Sequence, residues 1–221
     1  MHRRTITVPI AALITLLSCR DRPGTPLSSA AAGGDTEGIR TLIVQSADVN
    51  LKDRDGNTAL IWAAREGQLA AITALVRKGA DPNLPGGRND WTPLMHAIHK
   101  NQKDAVQALL DGGADPNAKT KPGFTALMMA AGYGNAEMVR ALLNRGADPY
   151  AEDSSGVSAL MLAVSGVPDI DKFTLGQCQA GAVRALLEKA PNLKLKGNFW
   201  GRLALRIARW GGCSEVAGLV G

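Results

Sequence analysis

The chain has 221 residues, with 25 Lys and Arg against 20 Asp and Glu, and only nine Phe, Trp or Tyr. Setting aside Arg3 and Arg4 leaves 23 basic against 20 acidic residues; with no Lys/Arg cluster and no aromatic-bearing RNA motif, nothing points to nucleic acid. No nucleophile elbow, phosphate loop, Cys-x-x-Cys or His-Glu-x-x-His occurs, so the residues offer no enzyme chemistry and no cofactor site.

The first residues differ from the rest. His2-Arg3-Arg4 is a positive start, and Ile6 to Leu17 is a mostly apolar stretch of 12 residues, too short to span a bilayer as a helix. Leu16-Leu17-Ser18-Cys19 follows and is similar to the bacterial lipobox. That likeness implies a signal peptide over 1–18, cleavage before Cys19, a lipid on its thiol, and a short linker to residue 24. Arg20 rather than aspartate after the cysteine implies sorting to the outer membrane, with the protein facing the periplasm. The alternative is an ordinary signal peptide cut within Ser28–Ala32, which would remove the start of the first structural unit.

From Thr25 the chain repeats itself. Thr25-Pro26-Leu27, Thr58-Ala59-Leu60, Thr92-Pro93-Leu94, Thr125-Ala126-Leu127 and Ser158-Ala159-Leu160 are separated by 33, 34, 33 and 33 residues. Ala47-Asp48, Gly79-Ala80-Asp81, Gly113-Ala114-Asp115 and Gly146-Ala147-Asp148 keep the same step. In each unit the threonine or serine predicts a helix N-cap, with proline tolerated in the first turn. In the fourth unit that helix runs through Ala131 and stops at Gly132 and Gly134. A second helix is predicted from Asn135 to about Asn144, with Met138, Val139, Leu142 and Leu143 on one face. Gly146 suits a left-handed C-cap, and Asp148-Pro149 turns the chain. The third unit carries one extra residue before its cap, and Asp90 stands where the others have a turn glycine. The fifth carries an insertion of 11 residues at about 166–177, readable as a tolerated surface loop or as a partner-contacting one around Ile170 and Phe173. The sixth, from about Lys196, closes the chain, with Arg202, Arg206 and Arg209 on its polar outer face.

Two short helices in about thirty residues cannot bury their apolar faces alone, and the period and residue types resemble the ankyrin repeat. The resemblance implies an all-α solenoid over 25–221. About six helix-turn-helix repeats would be joined by β-hairpin-like fingers. The histidine that usually follows Thr-Pro-Leu is replaced by Ser28, Ile61, Met95, Met128 and Met161, so the polar tie it provides is missing. Ankyrin proteins are mostly non-catalytic modules that bind a protein partner on the concave face, through finger residues and the end of the first helix. Position by position, that implies Arg54, Asp55, Asn57 and Arg65 in the second repeat. Arg88, Trp91, His99 and Lys100 follow in the third, Phe124 and Tyr133 in the fourth, and Trp200 and Trp210 in the sixth. An alternative for Trp200, Trp210 and Phe199 is that they cover the core of the last repeat.

Several smaller readings complete the picture. His96 and His99, three apart, could share a metal but have no evident third ligand; His96 is expected to pack between repeats and His99 to be exposed. Cys178 and Cys213 fall at equivalent helix junctions, either bridged in an oxidising compartment or left as two small apolar fillers. The chain is expected to be a monomer. Bacterial envelope proteins that resemble it include accessory factors of a periplasmic catalase and immunity proteins against delivered toxins.

Overall fold

The computed structural model describes residues 23–166, 179–195, 197–210, 216, 218 and 219. The expected leader with Cys19, the insertion beyond Gly166, Cys178 and Cys213 lie outside the described residues.

Helices come in pairs along the chain: α1 (Pro26–Gly33) with α2 (Thr36–Val44), α3 (Ala59–Glu66) with α4 (Leu69–Arg77), and α5 (Pro93–His99) with α6 (Lys103–Asp111). Then come α7 (Ala126–Gly132) with α8 (Ala136–Asn144), α9 (Ala159–Ser165) with α10 (Ala180–Lys189), and finally α11 (Phe199–Trp210). The first helix of every pair packs on the first helix of the next, from α1 through α11; the second helices form a parallel row from α2 to α10. One apolar core runs unbroken through the stack, from Leu27 and Ile39 to Ala208 and Val216. This is the expected solenoid.

The caps form as their residue types dictate. Thr25, Thr58, Thr92, Thr125 and Ser158 have extended backbones, and each side-chain oxygen accepts the N–H three residues on, at 3.0 to 3.4 Å. The five residues that replace the usual histidine are all buried. Only Ser28 restores a polar tie, its Oγ accepting from the Thr25 hydroxyl at 2.8 Å.

Side chains also stitch repeat to repeat. Asn50, Asn83 and Asn117 each reach the next repeat. The amide group donates to Gly79, Gly113 or Gly146 O, and the amide oxygen accepts from Asp81, Asp115 or Asp148 N. Those three glycines end α4, α6 and α8 at φ of 84 to 89°. A second row joins the helix–helix corners: Gln68 donates to Ala32 O and Gln102 to Arg65 O, both at 3.2 Å. Each glutamine lies against a left-handed glycine of the preceding repeat, Gly34 or Gly67, where a Cβ would run into it. In repeat three that glycine is Asn101, at φ 59°. The residue facing it is correspondingly the shorter Asn135, which donates to Asn101 Oδ1 at 2.7 Å.

Candidate protein-binding face

The fingers that precede the caps form a connected row along one edge of the stack. In repeat two, Asp53 organises the turn: Oδ1 accepts from Asp55 N and Asn57 N, and Oδ2 accepts from the buried Trp62 indole at 2.7 Å. Repeat five reproduces the turn with Asp153, which accepts from Ser155 N and Val157 N. Repeat four uses Thr120, whose hydroxyl accepts from Phe124 N. Repeat three, with its extra residue, pairs Gly86 with Trp91 through two backbone hydrogen bonds of 2.9 and 3.1 Å, and Asp90 takes φ 53°. Neighbouring fingers touch: Gly24 N donates to Asp53, Gly87 N to Gly56 O, and Ser154 N to Pro122 O.

Between fingers three and four lies an open groove of about 500 Å³, walled by Arg88, Asp90, Trp91, Lys121 and Phe124, with Asp153 at its far end. Trp91 and Phe124 are half-buried, their inner edges packed on the core. Lys121 crosses to Asp90 at 2.7 Å. The ammonium holds the Asp90 carboxyl below the usual range, and the carboxylate raises Lys121 in turn. Both groups face water, so the pair orders the rim more than it stabilises the fold.

Behind the groove the rings are layered. Trp91 lies 5.5 Å from the His96 ring and 5.0 Å from that of His99, and His99 Nδ1 is 2.8 Å from the Tyr133 hydroxyl. His99 is therefore buried, not exposed as expected: the Trp91 ring packs on one side of it and Tyr133 on the other. His96 is buried as expected. Burial and the nearby Arg65 charge lower its pKa to about 3, so it is neutral at pH 7. Its Nε2 and the Asn57 Oδ1 are buried without a hydrogen-bond partner among the described residues.

The structure thus sorts the expected contact residues. Arg54, Asp55, Arg88 and Lys100 are exposed along the fingers and helix ends. Trp91, Phe124 and Tyr133 are half-buried, so a change there affects the fold as well as the surface. Asn57 is buried, against expectation, because its backbone N–H is drawn onto Asp53. Arg65 is half-buried and places its guanidinium 4.6 Å from the centre of the Trp62 ring, a stacking contact within one helix turn. Trp200, Trp210 and Phe199 are exposed and line no part of the groove. The Asp53–Trp62 bond and the Asp90–Lys121 pair were not anticipated. The first had a readable signal, an aspartate nine residues before the only tryptophan on a first helix in repeats one to five. The second links two fingers and had none.

A sequence model of a known family, ankyrin repeats (3 copies), matches residues 11–85, 27–120 and 94–177. Ankyrin repeat family A protein 2 of Mus musculus is 43% identical over 56 residues, which is 25% of this chain and 18% of that protein; the Homo sapiens protein matches equally. SH3 and multiple ankyrin repeat domains protein 1 of Homo sapiens is 43% identical over 77 residues, 34% of this chain and 4% of that protein. The chain thus spans less than a fifth of the length of these relatives.

Proposed function

Because the chain belongs to the ankyrin-repeat family, whose repeats are protein–protein interaction modules, we propose that it holds a protein partner in the groove between fingers three and four while tethered to a bacterial envelope membrane through lipid on Cys19. The groove carries the reading. It is concave and open, it offers the half-exposed rings of Trp91 and Phe124 flanked by the cations Arg88 and Lys121, and aromatic and arginine side chains dominate binding energy at interfaces. Asp90 holds Lys121 in place, so the partner meets a pre-ordered rim. Arg54, Asp55 and Lys100 extend the polar border on either side and act more on association rate and its salt dependence than on affinity. The tether rests on Leu16-Leu17-Ser18-Cys19 after a short apolar stretch.

The test begins with partner capture on the processed protein, followed by titration of variants. Arg88→Ala, with a thermal melt near wild type, and Phe124→Leu, with a melt lowered by the core contact it loses, each weaken the captured complex tenfold or more, at about 1.4 kcal/mol per decade. Normal affinity in both variants would remove the groove from the reading. Cys19→Ser releases the protein from membrane fractions washed at high salt, which leave a lipid anchor in place, and mass spectrometry of the wild type finds acyl chains on that residue. An N-terminus beginning beyond Ser29 would rule the anchor out.

A further inference from the structure

The inner helix α11 differs from those before it. It has 12 residues, against 7 or 8 for α1, α3, α5, α7 and α9. No threonine caps it. Asn198 does so instead, its Oδ1 accepting from Gly201 N at 2.8 Å, and the helix begins early enough to include Phe199 and Trp200. At 100° per residue its side chains divide into three stripes. Gly201, Ala204 and Ala208 form the buried stripe, packed toward α9. Phe199, Trp210, Leu203, Ile207 and Trp200 span about 100° of the remaining surface. Arg202, Arg206 and Arg209 form a stripe beside them, and no acidic residue occurs in the helix. The rings of the stripe are bare, Trp210 89% exposed, Phe199 63% and Trp200 40%, and Leu203 and Ile207 between them are half-buried. Phe199 and Trp200 pack edge to face at 5.2 Å, which holds both rings outward. Arg202 also donates to the Gly197 carbonyl, fixing the turn that presents them.

We propose that α11 is a membrane-interface element that lays its aromatic stripe into the headgroup region of an anionic phospholipid surface, with Arg202, Arg206 and Arg209 on the lipid phosphates. The chemistry selects this occupant. Tryptophan and phenylalanine beside a one-sided row of arginines, with no acid among them, match a negatively charged interface with an apolar layer just beneath it. The helix is about 18 Å long, so it lies along the surface rather than crossing it, and among the described residues no helix is long and apolar enough to cross. This contact is at the opposite end of the stack from residue 25. It depends on neither Cys19 nor the groove, so either of those readings can fail without it.

The experiment uses the full chain carrying Cys19→Ser and vesicles of phosphatidylethanolamine with about one third phosphatidylglycerol. Brominated acyl chains in the vesicles report which tryptophans enter the lipid, because they quench only rings at their own depth. The expected result is quenching in the parent that is lost in the Trp200→Phe, Trp210→Phe double variant, leaving the emission of Trp62 and Trp91 unquenched. Each of Arg202→Gln, Arg206→Gln and Arg209→Gln lowers partitioning about fivefold, and the triple variant about a hundredfold. Pure phosphatidylcholine vesicles do not quench. Circular dichroism melts of all variants match the parent, since the substituted side chains are outside the core. Sedimentation with vesicles without quenching of Trp200 and Trp210 would overturn the proposal, assigning the binding to another part of the chain. Equal binding to phosphatidylcholine, or a stable dimer without vesicles that buries the two tryptophans, would overturn it as well.

Discussion

Repeats two to four and the two ends of the stack are built from the same unit but held differently. In the centre, three kinds of tie recur: the asparagine that reaches the next turn, the glutamine or asparagine at the helix corner, and a left-handed glycine closing the second helix. Toward the C-terminus the first and third fall away, while the corner keeps Gln179 against the left-handed Gly134. Tyr150 stands where Asn50, Asn83 and Asn117 stand, and it is exposed. Ala190 stands where the glycine should be, at φ −132°, so the turn that presents the accepting carbonyl does not form. Repeat one keeps the asparagine, Asn50, but closes its helix on Ser46 at φ 69°. The shared apolar core therefore specifies the stacking, while the polar ties grade its firmness from the centre outward. In a solenoid, where each unit touches only its neighbours, such grading makes the ends open first.

Acid should reverse that order. In the unfolded chain His96 takes up a proton near pH 6.5; in the fold, burial and the Arg65 charge keep it neutral down to about 3. Between these values the unfolded state binds more protons, so stability falls as pH drops from 6.5 toward 3, by up to about 1.4 kcal/mol per pH unit, and is unaffected by this group above 6.5. His96 is in repeat three, so the loss strikes the centre. Urea denaturation at pH 7 and pH 5 should differ by about 2 kcal/mol more in the wild type than in His96→Met, which copies Met129 at the equivalent position. Equal pH dependence in the two proteins would refute this.

The finger aspartates offer a second contrast. Asp53 and Asp153 support the same turn, but only Asp53 also accepts the Trp62 indole. Asp53→Ala leaves that buried N–H unpaired and should cost about 3 kcal/mol; Asp153→Ala loses two turn hydrogen bonds at the surface and should cost about 1 kcal/mol. Chemical denaturation of both variants checks the ratio. A cost for Asp153→Ala as large as that for Asp53→Ala would mean that the turn, not the indole, carries the energy.

The sequence made the repeat architecture legible because helix caps, left-handed glycines and apolar faces are local signals, and five copies of them reinforce one another. Thr58, Thr125 and Gly146 could be assigned before any coordinates, since their roles depend on residues within four positions. The face was less legible. Transfer by position placed Arg54, Asp55, Arg88 and Lys100 on the surface, but it put His99 there too. That failed because the Trp91 ring lies against the histidine and the Tyr133 hydroxyl meets it from the next repeat, contacts between segments. Asn57 failed for a related reason: the turn around Asp53 draws it inward. The ion pair of Asp90 and Lys121 joins residues 31 positions apart in two fingers, and no local pattern announces it. For α11, transfer by position named Trp200 and Trp210, but the early start of the helix and the exposure of their rings follow from packing that no local pattern announces.

The smallest expected effect isolates one of the central ties from all others. Ser46 closes α2 in the left-handed region that glycine occupies in repeats two, three and four. The hydrogen bonds at this turn are the same in kind: Ser46 N donates to Ile43 O and Ala47 N to Leu42 O, as Gly79 N does to Val76 O and Ala80 N to Leu75 O. Exchanging the residues therefore changes the backbone preference and little else. A left-handed L-residue is strained by about 1–2 kcal/mol, and glycine gives back about 0.4–1 kcal/mol through the greater freedom of the unfolded chain. Ser46→Gly should thus stabilise the protein by about 0.5 kcal/mol. Gly79→Ser should destabilise it by a similar amount, since a Cβ at Gly79 meets nothing within 4 Å and only the dihedral resists it. Hydrogen exchange at the amides of α2 reads the first change locally, where a global melt could miss it. Slower exchange there in Ser46→Gly would bring repeat one closer to the firmness of the centre. Faster exchange would mean that the serine contributes something at this turn that its backbone angles do not reveal.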